Sequence, residues 1–315
     1  MKKARILLLA MLLVFTLSGS ASPAAESAEY KEYKSGVFTY TLDQSGNAEI
    51  TDYYGKDKDL RVPSEIDGHP VTSIGQGAFV NQRGYRGRSN LTSVSLPDSL
   101  ISMSGNPFVG FYDLSVIHVS PDHPVFALVD GVLFNKVDKI PVAYPMTEKP
   151  GAYQVPSGTR AIGNDAFGYW NGLTSIVLPE GLESIGDQAF FACRINTHLT
   201  LPEGLRFIGD YAFYECVNLP SVTLPKSLES IGNGAFDFCR SLTSIVVPEG
   251  VKSIGDGAFG ECQNLASVTL PASLADMGMD VFMNSSPVLV LTVPQDSYAQ
   301  QYAQDNGIPY EVIGK

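Results

Sequence analysis

A length of 315 residues would ordinarily imply two globular domains, but the pattern below is a repeat array, which grows by adding coils. The formal charge of −12 opposes a phosphate backbone or an anionic bilayer, which argues against nucleic acid as a partner and favours a soluble chain.

The chain opens Met1-Lys2-Lys3-Ala4-Arg5, runs apolar from Ile6 to Leu17, and turns to small residues from Ser18 to Ala25. A basic start, a short apolar stretch and a small-residue exit read as a secretory signal peptide over 1–25, cleaved between Ala21 and Ala28. Losing Lys2, Lys3 and Arg5 would take the charge from −12 to −15 (−12 − 3). No second apolar run is long enough to cross a membrane, no cysteine precedes Cys193, and no Leu-Pro-x-Thr-Gly sequence closes the chain. The expectation is a secreted, extracellular monomer without membrane insertion, held at the cell surface non-covalently if at all.

Residues 26–61 are expected to cap the array, and 62–155 to form its irregular first part. From Val62 to Leu96 the step is 34, which leaves a loop containing Arg83, Tyr85, Arg86 and Arg88. Three arginines and a tyrosine among glycines could grip an acidic partner, or simply keep one edge solvated. From Val119 to Val155 the step is 36, and Asp130 to Lys136 and Ile140 to Pro145 read as a hairpin hinged at Val137-Asp138-Lys139.

From 156 to 293 the pattern is regular. Leu-Pro recurs at Leu178, Leu201, Leu224 and Leu270, with Val247 and Val293 in the same slot, and each step is 23. Ile-Gly-x-x-Ala-Phe keeps that beat from Ile162 to Ile254, with Met277 as a degenerate copy. Such a period signals a stacked solenoid, mainly β. In the copy from Leu173 to Cys193, Leu173, Ile176 and Leu178 follow the strand spacing of a leucine-rich repeat. Pro179 ends the ladder, Gly186 makes a corner, and Asp187 is expected to cap a short helical turn carrying Ala189 and Phe190. The phenylalanines should stack as a spine. Cys193, Cys216, Cys239 and Cys262 share one slot, with Trp170 one repeat earlier and Ser285 one later. They read as a buried column, with disulfides as the alternative; a thiolate metal site would need converging ligands. The Asp187, Asp210, Asp256, Asn164 and Asn233 column suits capping better than calcium, which wants six or more oxygens. Residues 294–315 read as a closing cap, a helix within Asp296 to Gly307 and an edge strand at Tyr310 to Ile313.

The Leu-Pro-x-x-Leu-x-x-Ile-Gly-x-x-Ala-Phe-x-x-Cys units, complete in Leu201 to Cys216 and Leu224 to Cys239, resemble the BspA-like leucine-rich repeat family of secreted and surface bacterial proteins. The opening from Phe38 to Gly75 looks like that family's first coil, so the resemblance covers about residues 36 to 295. It implies a leucine-rich repeat right-handed coil stack and points to adhesion and protein interaction.

Two faces are candidates for contact. One is the flat strand face, with Thr200, Thr223, Thr269 and Thr292 beside Ser175, Ser221, Ser244 and Ser267. The other is the rim after each Phe, where Tyr169, Phe191, Tyr214 and Phe238 cluster with Glu215, Asp237 and Glu261; aromatic side chains are enriched at protein interfaces and also stack on sugars. The four histidines, His69, His118, His123 and His198, accompany no nucleophile elbow, zinc-protease helix, phosphate loop or dinucleotide fingerprint, so neither an enzyme nor a cofactor is expected. The function expected is a secreted, non-catalytic recognition or adhesion module binding extracellular protein or polysaccharide. A structural envelope or matrix component without a selective ligand is the alternative, and a hydrolase comes last.

Overall fold

The computed structural model describes residues 31–79, 91–145 and 151–313. The expected signal peptide and the loop with Arg83, Tyr85, Arg86 and Arg88 lie outside the described residues. The chain is a mainly β solenoid of about 11 turns on a period of about 23 residues.

In the regular part each coil lays two short strands. One column stacks Ala161–Ile162, Ser184–Ile185, Phe207–Ile208, Ser230–Ile231, Ser253–Ile254 and Asp276–Met277 into a six-stranded parallel sheet, Ile upon Ile. On the other side, Leu199–Thr200 pairs with Val222–Thr223, and Ser244–Val246, Ser267–Thr269 and Val290–Pro294 continue in parallel. Ile176 is buried and Val177 is 55% exposed, the alternation that a strand with one face on the core requires.

Between the strands the backbone makes successive turns rather than helix. Around Phe190 the reason is local: Gln188 has φ 54° and Ala192 φ 54°, and around Phe213, Tyr211 has φ 56° and Glu215 φ 57°. Left-handed residues two before and two after each Phe stop a right-handed helix from propagating. The rings then face straight down the axis: Phe167, Phe190, Phe213, Phe236, Phe259 and Phe282 stack at centroid spacings of 5.1 to 5.8 Å, within 11° of parallel.

The cysteines lie beside this spine, free and buried. Each donates across the coils to a Phe carbonyl, Cys193 Sγ to Phe167 O at 3.1 Å and Cys239 Sγ to Phe213 O at 3.3 Å, while Ser285 Oγ reaches Phe259 O at 2.6 Å from the same slot. Burial pushes the Cys216 and Cys262 thiols up to about 12, which leaves no thiolate for exchange or metal binding at neutral pH.

The Asp and Asn column does something other than cap its own turns. Asn164 Oδ1 accepts the Asp187 amide at 2.9 Å, Asp187 Oδ1 that of Asp210 at 2.9 Å, Asp210 Oδ1 that of Asn233 at 2.7 Å, and Asn233 Oδ1 that of Asp256 at 2.8 Å. Every side chain satisfies the backbone one coil ahead. This also explains the glycine after each Ile, which is not a corner in left-handed conformation. A Cβ on Gly209 would lie 2.5 Å from Asp187 Oδ1, and one on Gly232 2.6 Å from Asp210 Oδ1.

The first part is less regular. Tyr33–Ser35, Phe38–Leu42 and Ala48–Tyr53 form an antiparallel meander that hands over to parallel pairing with His69–Ile74. The expected hairpin is Val132–Asn135 with Ile140–Ala143, and Phe126–Val129 adds a third antiparallel strand. This unit bridges two apolar clusters: Val132 packs with the regular coils, while Leu133, Val142 and Ala143 pack with the earlier ones. At the far end Ser297 caps the helix Tyr298–Asp305 by accepting the Gln300 amide, and Ala299 and Ala303 turn into the core. Tyr310–Ile313 then adds a parallel strand to Val290–Pro294.

Asp165 is buried and has φ 57°, and its carboxylate accepts the Gln76 side-chain amide at a long 3.4 Å. Burial pushes its carboxyl up to about 7, with Asp187 adding repulsion. Between the ordinary carboxylate range and pH 7 the native state therefore keeps a proton that the unfolded chain has released, so stability falls as pH rises through that window. Asp165→Asn is expected to raise unfolding stability at pH 8 by roughly 2 to 4 kcal/mol and to change it little at pH 3.5, measured by urea denaturation at both pH values.

Candidate recognition ridge

The left-handed residues that end each Phe turn also fix what stands on the rim. The position two after Phe is Tyr169, Ala192, Glu215, Phe238 and Glu261 in successive coils, and the position one after is Gly168, Phe191, Tyr214, Asp237 and Gly260. One slot or the other carries a large ring in each of four consecutive coils, the outer slot in the first and last and the inner slot in the two between. Tyr169 and Phe191 lie 4.9 Å apart, Phe191 and Tyr214 4.7 Å at 18°, and Tyr214 and Phe238 5.3 Å.

All four are half-buried, and the structure brings them together as one line. Two residues that the sequence did not single out extend it. Tyr112, 47% exposed, meets Tyr169 edge-on at 6.3 Å, and Tyr211, 42% exposed, meets Tyr214 edge-on at 5.8 Å. Tyr112 reaches the line because its coil lies against the first regular one: Asn106 donates its backbone amide to Asn164 O at 3.1 Å, and a Cβ on Gly168 would lie 3.3 Å from Val109 Cγ2. Tyr211 sits where later coils have Gly234 and Gly257, and its ring covers the space above Gly234.

At the early end the ridge borders a shallow cleft of about 240 Å³, lined by Tyr112, Tyr169, Asn171, Arg194 and Glu215 among others. At the late end stand carboxylates. Asp237 is pushed up to about 6 by burial, with Glu261 adding repulsion, although its Oδ1 accepts the Phe238 amide at 2.9 Å. Burial raises the Tyr214 phenol, and the nearby charges of Asp237, Glu215 and Glu261 raise it further.

The strand face is flatter and quieter. His198 bridges two hydroxyls of the next coil, Nδ1 to Ser221 Oγ at 2.7 Å and Nε2 to Thr223 Oγ1 at 3.0 Å. The other histidines are spread apart: His123 is buried, its Nε2 donating to Pro97 O at 3.1 Å while Nδ1 accepts the Phe126 amide at 3.1 Å, and His69 Nδ1 meets Gly46 O at 2.8 Å. Among the described residues no three of His, Cys, Asp or Glu converge as metal ligands, and no helix is long and apolar enough to cross a membrane.

Fold and surface together define a leucine-rich repeat solenoid. Residues 160–288 match the family model of the BspA type leucine rich repeat region, in six copies; the coils before them lie outside that span. A leucine-rich repeat protein of Eubacterium ventriosum is 18% identical, aligned over 80% of this chain and 94% of its own, with a TM-score of 0.57, and it shares the fold. A leucine rich cell surface protein of Faecalibacterium prausnitzii is 24% identical over 85% of this chain and 77% of its own, TM-score 0.44. The T. pallidum leucine rich repeat protein is 26% identical over 89% and 98%, TM-score 0.38. No curated protein matches the chain.

If the ridge rings are surface furniture rather than core, their removal should be mild. Phe191→Ala is expected to cost about 1 to 2 kcal/mol, against about 3 to 5 for Phe213→Ala one slot deeper, in urea unfolding. Equal costs would show that the ridge is part of the core.

Proposed function

We propose that this protein is a non-catalytic recognition module that works outside the bacterial cell and docks a protein partner along the ridge Tyr112, Tyr169, Phe191, Tyr214 and Phe238. The sequence character of residues 1–25 supports the location, and the repeat family supports a non-catalytic role. What carries the reading is how the rings are arranged. Phe191 and Tyr214 lie 4.7 Å apart at 18°, so each covers a face of the other, and what they offer outward is edges. A sugar ring needs an open aromatic face, whereas a protein side chain packs against edges and hydroxyls equally well. The scaffold beneath is rigid, so the line is preorganised and little ordering entropy is lost on docking.

The test is a solid-phase screen of the full chain against extracellular proteins and against a glycan array. Saturable binding to a protein is expected, lost in Phe191→Ser/Tyr214→Ser and kept in Thr223→Ala/Thr269→Ala on the strand face. Ligands found only among glycans, or protein binding that survives the ridge variant and disappears with the strand-face variant, would contradict it.

A further inference from the structure

We infer that the segment this ridge receives is cationic, an extended stretch of a partner protein bearing lysine or arginine. The inference rests on the ridge being a protein-docking surface and adds the chemistry of the occupant.

Three observations converge. First, Glu215, Asp237 and Glu261 occupy successive coils in the same two rim slots as Tyr214 and Phe238. Neither ion pair found among the described residues, Arg160 with Glu183 and Arg206 with Glu229, involves them. Glu261 is held in place by Asn284, whose Nδ2 donates to Oε1 at 2.7 Å, a neutral partner that fixes the carboxylate without neutralising it.

Second, the chain shows what such a ring accepts. Phe238 closes the ladder, and the guanidinium of Arg240 lies over its ring at 5.5 Å from the centroid. Elsewhere Arg206 lies over Phe207 at 5.0 Å and Lys31 over Tyr33 at 4.9 Å. A cation placed over an aromatic face and near carboxylates gains from both. Third, the excess of acid over base across the whole chain, −12, steers basic partners in and acidic ones away. Four coil steps of about 4.8 Å give a line of roughly 19 Å, the length of an extended segment of about six residues.

The probe is a set of three fluorescein-labelled twelve-residue peptides, alike except that alternate positions are lysine and arginine, glutamine and serine, or glutamate. Anisotropy with the full chain is expected to show the cationic peptide binding at least about tenfold tighter than the neutral one, with affinity falling as NaCl rises from about 0.05 M to about 0.3 M. Asp237→Asn/Glu261→Gln should abolish that preference. Asp305→Asn/Glu311→Gln, the same change in charge away from the ridge, should leave it. No cationic preference, or equal loss in both charge variants, overturns the inference. Neutral and cationic peptides bound alike, and both lost in Phe191→Ser/Tyr214→Ser, would overturn the charge but leave the ridge standing. Cationic binding that survives the ring variant and is lost in Asp237→Asn/Glu261→Gln would overturn the ridge itself.

Discussion

Each coil is held by the coil ahead of it, at the same slot, and everything else in the molecule follows from that. The carboxylate or carboxamide of one coil accepts the backbone amide 23 residues on, from Asn164 through Asp256 to Met279. The Phe rings meet face to face over the same interval. Neither contact exists within a single coil, so a lone repeat has nothing to bury its apolar side against and stability is shared between neighbours. Within the regular coils the register of each strand is fixed. One residue more or less would turn each strand over and put the outward-facing Val177 or Val246 against the core.

The ridge is a by-product of that register. Because Phe stacks on Phe, the residues just after it must also line up, and a left-handed residue two positions on turns them out to the rim. Tyr169 and Phe238 accept positive φ themselves, a conformation that costs an ordinary side chain on the order of 1 kcal/mol, in order to stand where Phe191 and Tyr214 stand one slot earlier. Outside the ridge the same slot-on-slot logic alternates charge, Arg160, Glu183, Arg206, Glu229 and Lys252, and two of these pairs touch, Arg206 Nε to Glu229 Oε1 at 2.7 Å. Exposed pairs of this kind contribute little stability, but a slip in coil order would set like charges together.

Much of this was legible in the residues. The Leu-Pro and Ile-Gly-x-x-Ala-Phe beats name core positions directly, since identical apolar side chains at a fixed interval can only be stacked. The cysteine column was legible for the same reason. The Asp and Asn slot was visible, but its partner was not: a good cap and a good inter-coil acceptor are the same residue types, and only geometry shows that the amide received lies one coil ahead. The glycine after Ile was legible as the point where strand gives way to turn, but not the reason for glycine, which is the close approach of the preceding coil rather than a positive φ. Of the ridge, Tyr169, Phe191, Tyr214 and Phe238 could be found by looking after each Phe. Tyr112 could not, because it sits in an irregular unit, and Tyr211 could not, because its slot precedes the Phe and holds Gly234 and Gly257 in later coils.

The account stands on the 23-residue interval, and deleting one repeat tests it most directly. Removing residues 202–224 joins Leu201 to Pro225 and restores every slot, whereas removing 202–223 leaves all later coils one residue out of step. Thermal unfolding followed by far-ultraviolet circular dichroism is expected to show one cooperative transition for the 23-residue deletion, a few degrees below the parent, and none for the 22-residue deletion. Two deletions that unfold alike would contradict it.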